Sequence, residues 1–496
     1  MNIKEYIKQD AVGLSDLIKR KEISSSELID LSEARLNQVK QDLNPVASSR
    51  IERARNEVTK TINLTSPFSG VPFYLKGISQ GLKGELLESG AKLLKGLVAE
   101  QTSYFAQDML DTGLVCLGHS TTPEFALKNI TEPELFGPTR NPWDQDYSSG
   151  GSSGGASALV ASGVVPLAGA SDGGGSIRIP ASFTSLVGLK PTRGRTSVGP
   201  GVGRQWHGAA IDFALTKSVR DSARLLDNLQ VVQEAAAFQT PLYPYAYEVE
   251  IEREFDRKLN VAYTTASPVG TPVTDEAKVA VLNVVKWFED QGHSVTEADN
   301  GIDGKEMMRN YYLMNSGEVS ATIKNIEKQI NREITEKDLE IEAWLLNEAG
   351  KSVSAADFSL SLASWDQAAE KMSQFHQTYD FYITPAAAST APKVGELTQS
   401  KENSEKLHEA IMQAKPAQQQ EIIYEMFLPS LTYTPFTQLA NLTGQPAISV
   451  PTHRSQNGLP IGVQIMARKG ADYSLLKVAR QLEKSSLWVG VKDLLG

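Results

Sequence analysis

The chain has 496 residues, 41% hydrophobic and 22% charged, with a mean hydropathy of -0.27; these values exclude disorder, collagen and coiled coil as whole-chain descriptions. With 49 Lys and Arg against 59 Asp and Glu, the net charge of -10 gives no general attraction to phosphate backbones or anionic lipid, so neither nucleic acid nor a membrane is an expected partner. The single cysteine, Cys116, can form no internal disulfide and fits a reducing compartment.

The N-terminus carries Lys4, Glu5 and Lys8 where a signal peptide needs its apolar stretch, and no apolar window is long enough to span a bilayer. A cytoplasmic location is the expectation. Residues 1–60 read as helices, with Leu14, Leu17, Ile18 and then Leu28, Ile29, Leu31, Leu36, Val39 at three-to-four spacing and Ser24–Ser26 before Glu27 as an N-cap. From residue 70 to 195 the texture changes. Short apolar runs (Val71–Leu75, Leu114–Leu117, Val164–Leu167) alternate with helix-length segments and glycine-rich turns, the pattern of an α/β layered core.

Leu259–Thr264, Asp275–Gln291 and Ser294–Glu297 read as one β-α-β unit, its helix carrying Val279, Leu282, Val285 and Trp287 or Phe288 inward. Residues 304–378 and 399–425 are polar with helical periodicity and look like an insertion or cap. Phe381–Thr384, Ala447–Val450 and Ile461–Met466 then read as strands returning to the core. That return argues against the roughly three sequential domains that length alone suggests.

Glycine is concentrated: Gly137–Ile177 holds 10 in 41 residues, where the average of 38 in 496 predicts about 3, so the backbone there needs unusual geometry or close approach. Within it stand Gly150-Gly-Ser-Ser-Gly-Gly155 and, 24 positions after Ser152, Ser176 in Asp172-Gly-Gly-Gly-Ser-Ile-Arg178. Gly173, Gly174 and Gly175 can present consecutive N–H groups to an oxyanion, with the Ser176 hydroxyl beside them as a nucleophile. A serine needs a base. The six histidines include only His119 and His207 in the glycine-rich half, and none stands in a recognisable triad motif. Lys76, closing the apolar run in Gly70-Val-Pro-Phe-Tyr-Leu-Lys-Gly77, is the other candidate, because burial would push its pKa down and leave it neutral. Taken singly, each has a bland reading, as a serine-rich turn, a strand-end lysine reaching for water or a packing histidine; Cys116 reads as a core thiol.

Taken together, these motifs resemble the amidase signature family of serine hydrolases. The resemblance extends through Thr122-Pro-Glu-Phe125, Thr139-Arg-Asn-Pro-Trp-Asp144, Gly188-Leu-Lys-Pro-Thr-Arg-Gly-Arg195, Asn441-Leu-Thr-Gly-Gln-Pro-Ala-Ile-Ser449 and Gly458-Leu-Pro-Ile-Gly-Val-Gln464, and so covers the whole chain. It implies a Ser-cisSer-Lys triad of Ser176 as nucleophile, Ser152 as bridging serine in a cis peptide and Lys76 as base. Gly173–Gly175 become the oxyanion hole, and Asp172 and Arg178 pair to brace the loop. It also implies one α/β/α layered domain over 1–496, with a central mixed, mostly parallel twisted sheet, a catalytic core at 70–195 and a helical, substrate-pocket insertion at 300–425. The activity implied is hydrolysis of a linear or lactam-type carboxamide through an acyl-enzyme, with no metal or cofactor and a small-molecule amide as partner; a homodimer is compatible with the family.

Within the family, Thr131–Pro142 and the helical middle are most similar to bacterial 6-aminohexanoate cyclic dimer hydrolases, which act on nylon oligomers, and to related broad amidases. The pocket walls are expected from 125–130, the helical middle and 427–445, with Leu127 and Asn315 as substrate contacts. The chain departs from the family pattern at Gly173, where a larger residue is common, at Ser149 for proline and at His119 for lysine. Asn315 aligns with a substrate-pocket cysteine of the dimer hydrolases. The competing readings are a glutamine-hydrolysing subunit of a tRNA-dependent amidotransferase and an inactive amide-binding protein.

Overall fold

Thirteen strands organise the described part of the chain: β1 (Val46–Ser49), β2 (Pro72–Lys76), β3 (Val115–Ser120), β4 (Arg140–Asn141), β5 (Asp144–Ser148), β6 (Leu167–Asp172), β7 (Val187–Lys190), β8 (Ile211–Thr216), β9 (Asn260–Tyr263), β10 (Ser294–Glu297), β11 (Phe381–Pro385), β12 (Ala447–Arg454) and β13 (Pro460–Ala467). In this computed structural model the described residues are 1–59 and 63–495; the last position of the N-terminal stretch read as helical, residue 60, and the C-terminal Gly496 lie outside them. Apart from the small β4–β5 ribbon, the strands form one eleven-stranded sheet in the order β1-β3-β2-β6-β8-β7-β12-β13-β11-β9-β10.

The sheet is mixed, as expected, but the expectation that it is mostly parallel is corrected. Only β2 with β3 and β6, and β9 with β10 and β11, pair in parallel. The run from β6 through β8, β7, β12 and β13 to β11, and the β1–β3 edge, are antiparallel. For one of these pairs a short connection is the reason: β12 and β13 are joined by a turn whose Gly458 N–H donates to Ser455 C=O, too tight for a crossover.

Side chains alternate between the two faces of the strands. Val261, Phe381, Ile383 and Ile465 point into a core shared with the N-terminal and C-terminal helices through Leu28 and Leu475. Their neighbours Ala262, Tyr382 and Met466 point into a second core with Met314, Leu346 and Phe427. The second core joins the sheet to the helices Gly304–Ile330, Ile341–Gly350, Ala355–Thr378 and Pro416–Tyr433, the expected insertion. Helices thus cover both faces, giving the α/β/α layering. Among the described residues no helix is long and apolar enough to cross a membrane.

Several local expectations hold. Ser24 caps Ser25–Leu43 with a reciprocal bond to Glu27, and the helix read at 275–291 forms over Asp275–Asp290. Others shift. The N-terminal stretch contains β1, and the run Val164–Leu167 precedes β6 and enters it only at Leu167. In Asp275–Asp290 the inward face is Ala277, Ala280, Val281, Val284, Val285 and Phe288, whereas Val279 and Leu282 are 43% and 46% exposed. Two apolar stripes compete on this helix, and the one carrying alanines faces the sheet because small side chains let the helix approach it closely.

Candidate active site

The site stands where β2 and β6, parallel neighbours paired at Tyr74 and Ala168, end at the same edge of the sheet, one closing with Lys76 and the other with Asp172. All five residues of β2 are buried, and Lys76 is carried into the interior with them. Its Nζ donates to Ser152 Oγ at 2.7 Å, to Ser171 Oγ at 2.9 Å and to Ser171 C=O at 3.4 Å. Burial pushes its pKa from the ordinary 10.5 down to about 7, against the opposing charges of Asp212 and Asp172. Asp212 is itself buried and accepts from Ser79 Oγ, Gln80 Nε2 and Gln205 Nε2 at 2.7–2.9 Å.

Ser152 precedes the buried helix Gly154–Ala161, and the Gly151–Ser152 peptide is cis. The glycines around it are explained by crowding. A Cβ at Gly151 would lie 2.6 Å from the Ile130 backbone, and one at Gly155 would lie 2.3 Å from Thr121 N.

Asp172, at the end of β6, organises the turn that follows. Its carboxylate accepts from Gly175 N–H at 2.7 Å, Ile177 N–H at 3.2 Å, Arg178 Nε and Nη2 at 2.9 Å each, and Asn441 Nδ2 at 2.9 Å. Burial alone would raise its pKa, but the Arg178 charge and these bonds hold it at about 2. Arg178 extends the brace to Thr437 C=O, Gln464 Oε1 and Asn441 Oδ1. The Asp172–Arg178 pair is therefore present, with both side chains fully buried.

Gly173 and Gly174 have their carbonyls engaged by Tyr311 Oη at 3.0 Å and Thr437 Oγ1 at 2.7 Å. Among the described residues the N–H groups of Gly173, Gly174 and Ser176 have no partner, whereas that of Gly175 is taken by Asp172. The three-glycine donor set is thereby corrected: Gly175 N–H is committed to bracing the turn, and Ser176 N–H is free in its stead.

Ser152, Ser171, Gly173, Gly174 and Ser176 all line one cavity of about 440 Å³. Its other walls come from 125–129, 204–206, the helix Gly304–Ile330 and 427–438, with Phe125, Leu127, Tyr312, Ile323 and Phe427 making it largely apolar. Leu127 and Asn315 both face it, and Asn315 Oδ1 accepts from Trp206 Nε1 at 2.7 Å. The structure brings Lys76 and Ser152 into contact and places Ser176 on the lining of the same cavity, with no hydrogen bond between Ser152 and Ser176. His119 is buried against Gln80 and Ser48, and His207 pairs with Glu318; neither lines the cavity. Ser171, Tyr311, Trp206 and Thr437 are the participants that sequence reasoning missed. Only Ser171 had a signal, its place immediately before the Asp172–Arg178 motif.

A family model described as Amidase matches residues 27–476. The chain is 36% identical over 481 residues to a lipoamidase of Enterococcus faecalis, an alignment covering 97% of this chain and 64% of the relative, so that the chain spans less than two thirds of that protein. It is 34% identical over 491 residues to a 6-aminohexanoate-cyclic-dimer hydrolase of Pseudomonas sp. (strain NK87), covering 97% of this chain and 95% of the relative. A solved structure of 6-aminohexanoate cyclic dimer hydrolase superimposes with a TM-score of 0.89 at 33% identity over 99% of both chains. With the family model spanning most of its length and the 6-aminohexanoate-cyclic-dimer hydrolase aligned nearly end to end, the chain belongs to the amidase signature family, enzymes that hydrolyse carbon–nitrogen amide bonds.

Proposed function

We propose that this protein hydrolyses small to medium carboxamides, linear or lactam, through an acyl-enzyme on Ser176, with Ser152 as proton relay and Lys76 as base. The observation that carries the reading is the buried Lys76 amine, held near neutrality and 2.7 Å from Ser152 Oγ. Neutral Lys76 accepts the Ser152 proton while Ser152 accepts that of Ser176, whose oxygen adds to the amide carbonyl carbon. The carbonyl oxygen becomes an oxyanion facing the free N–H groups of Gly173, Gly174 and Ser176. Collapse breaks the C–N bond, the departing amine takes the proton back through Ser152, and water, deprotonated by the same relay, releases the acid. This proton transfer requires the Ser176 hydroxyl to donate to Ser152 Oγ.

The largely apolar cavity suits an aliphatic acyl chain, and relatives named for lipoamide and 6-aminohexanoate cyclic dimer hydrolysis point the same way. Amine or ammonia release is measured for lipoamide, aliphatic and aryl amides, cyclic and linear 6-aminohexanoate oligomers, and glutamine, with wild type and Ser176→Ala. Turnover of an aliphatic amide that vanishes in the variant is the expected result. Activity on glutamine alone would favour the amidotransferase reading, and full activity in the variant would exclude Ser176 as nucleophile.

A further inference from the structure

The turn joining β6 to the helix Arg178–Thr184 contains three glycines and has its backbone held by side chains at three points. Asp172 holds Gly175 N–H, Thr437 holds Gly174 C=O, and Tyr311 Oη donates to Gly173 C=O at 3.0 Å. The first two contacts come from the body of the domain. The third comes from the pocket insertion, 138 residues away in sequence.

A trans peptide sets the C=O of one residue opposite the N–H of the next. Anchoring the Gly173 oxygen therefore fixes the direction in which Gly174 N–H points, and that N–H is one of the free donors among the described residues. The fit is close: a Cβ at Gly174 would lie 2.9 Å from the Tyr311 oxygen. Tyr311 also belongs to a wall. Tyr311, Asn315, Val319 and Ile323 follow one another at intervals of four along one face of the helix Gly304–Ile330, and all line the cavity. Asn315 on that face is fixed by Trp206 at 2.7 Å.

We infer that Tyr311 is a positioning residue, which holds the Gly173–Gly174 peptide so that Gly174 N–H receives the oxyanion formed when Ser176 attacks. The inference rests on the reading of Ser176 as nucleophile. It makes the pocket wall and the oxyanion loop a single hydrogen-bonded unit, so that the helix forming the substrate wall also orients the group that stabilises the transition state.

The test compares wild type, Tyr311→Phe and Ser176→Ala in two measurements. One is kcat and KM on the amide that wild type cleaves fastest; the other is the affinity of pentyl trifluoromethyl ketone, whose carbonyl carbon bonds to Ser176 Oγ while its oxygen takes up the negative charge and the serine proton passes to the Ser152–Lys76 relay. The ketone needs no turnover and so reads the oxyanion hole directly. Tyr311→Phe is expected to lower kcat about tenfold, leave KM within about twofold and weaken the ketone by about the same tenfold. A raised KM with kcat and ketone affinity intact would make Tyr311 a substrate contact only, and unchanged values throughout would make it a bystander; either overturns the inference. Gly174→Ala, which sets a methyl group against the phenol, should mimic Tyr311→Phe and add little when combined with it; full additivity would also overturn the coupling. Ser176→Ala separates the two readings. If that variant keeps turnover and ketone binding, the nucleophile assignment falls; if it loses both while Tyr311→Phe is unaffected, only the positioning role falls.

Discussion

The pH profile of kcat/KM for an uncharged amide reports the ionisation of Lys76 in the free enzyme, because only the neutral amine can accept the Ser152 proton. Lys76 is fully buried with a pKa pushed down to about 7. Between about pH 6 and pH 8 its neutral fraction rises from about one-tenth to about nine-tenths, so kcat/KM should climb about ninefold and then level off. A lysine left at the ordinary 10.5 would be neutral in only about 3 molecules in 10,000 at pH 7, and the rate would still be rising tenfold per pH unit at about pH 9. The two cases differ in shape as well as size. Initial rates on a hexanoyl amide at constant ionic strength, with enzyme activity rechecked at pH 7 after each exposure, give the curve. Asp212→Asn sharpens the assay: the Asp212 charge raises the Lys76 pKa, so its removal should move the inflection to lower pH while leaving the Lys76–Ser152 contact in place. A profile still climbing at about pH 9, or an inflection that Asp212→Asn does not move, would refute the assignment of the base.

Two further expectations follow from the same geometry. The folded pKa of Lys76 lies below its unfolded value, so the unfolded chain binds more protons between about 7 and 10.5 and stability rises with pH across that window; below it the full burden, about 5 kcal/mol, weighs on the fold. Lys76→Met removes that burden while forfeiting hydrogen bonds to Ser152 and Ser171 worth about 1 kcal/mol each, so the variant should be inactive yet resist urea better than wild type at pH 6, with the advantage shrinking towards pH 10; a lower midpoint at pH 6 would contradict this account. Leu127→Trp places a large ring in the wall of the 440 Å³ cavity and should raise KM for the longest accepted acyl chain about tenfold or more while sparing the shortest amide; equal effects on both in steady-state kinetics would show that the acyl group lies elsewhere.

How much of this was legible depended on whether a signal was local. The Ser24–Glu27 cap, the closing lysine of an apolar run and the glycine cluster each sit within a few residues of what they determine, and each could be read directly. The helix Asp275–Asp290 is a mixed case: its period was correct and Val285 and Phe288 do face inward, but Val279 and Leu282, as apolar as the residues that are buried, are exposed. Periodicity fixes a helix but leaves its rotation to the partner surface, here a sheet that accepts the alanine stripe. Strand direction was lost for the same reason, because alternation along β7, β8, β12 or β13 is identical whether a neighbour runs parallel or antiparallel.

The site divides along the same line. Lys76, Ser152 and Ser176 stood out because each lies in a short motif, and the structure explains the glycines around Ser152: close approach of backbone at Gly151 and Gly155 forbids a side chain. The groups that complete the site have no such mark. Tyr311 is one tyrosine in a helix of ordinary amphipathic composition, and its importance arises only from the register that sets its hydroxyl on Gly173. Gly175 was misread for the converse reason, since three consecutive glycines look equivalent until Asp172, reaching back over its own turn, claims the N–H of the third. Arg178 holds the Asp172 carboxyl at about 2, so near neutral pH it is ionised and keeps Gly175 N–H, and in the proposed mechanism the oxyanion is met by the donors on either side of Gly175. In the proposed reading the helix Gly304–Ile330 shapes the substrate wall and the end of β6 carries the chemistry, and the Tyr311 hydroxyl bonds one to the other through Gly173 C=O.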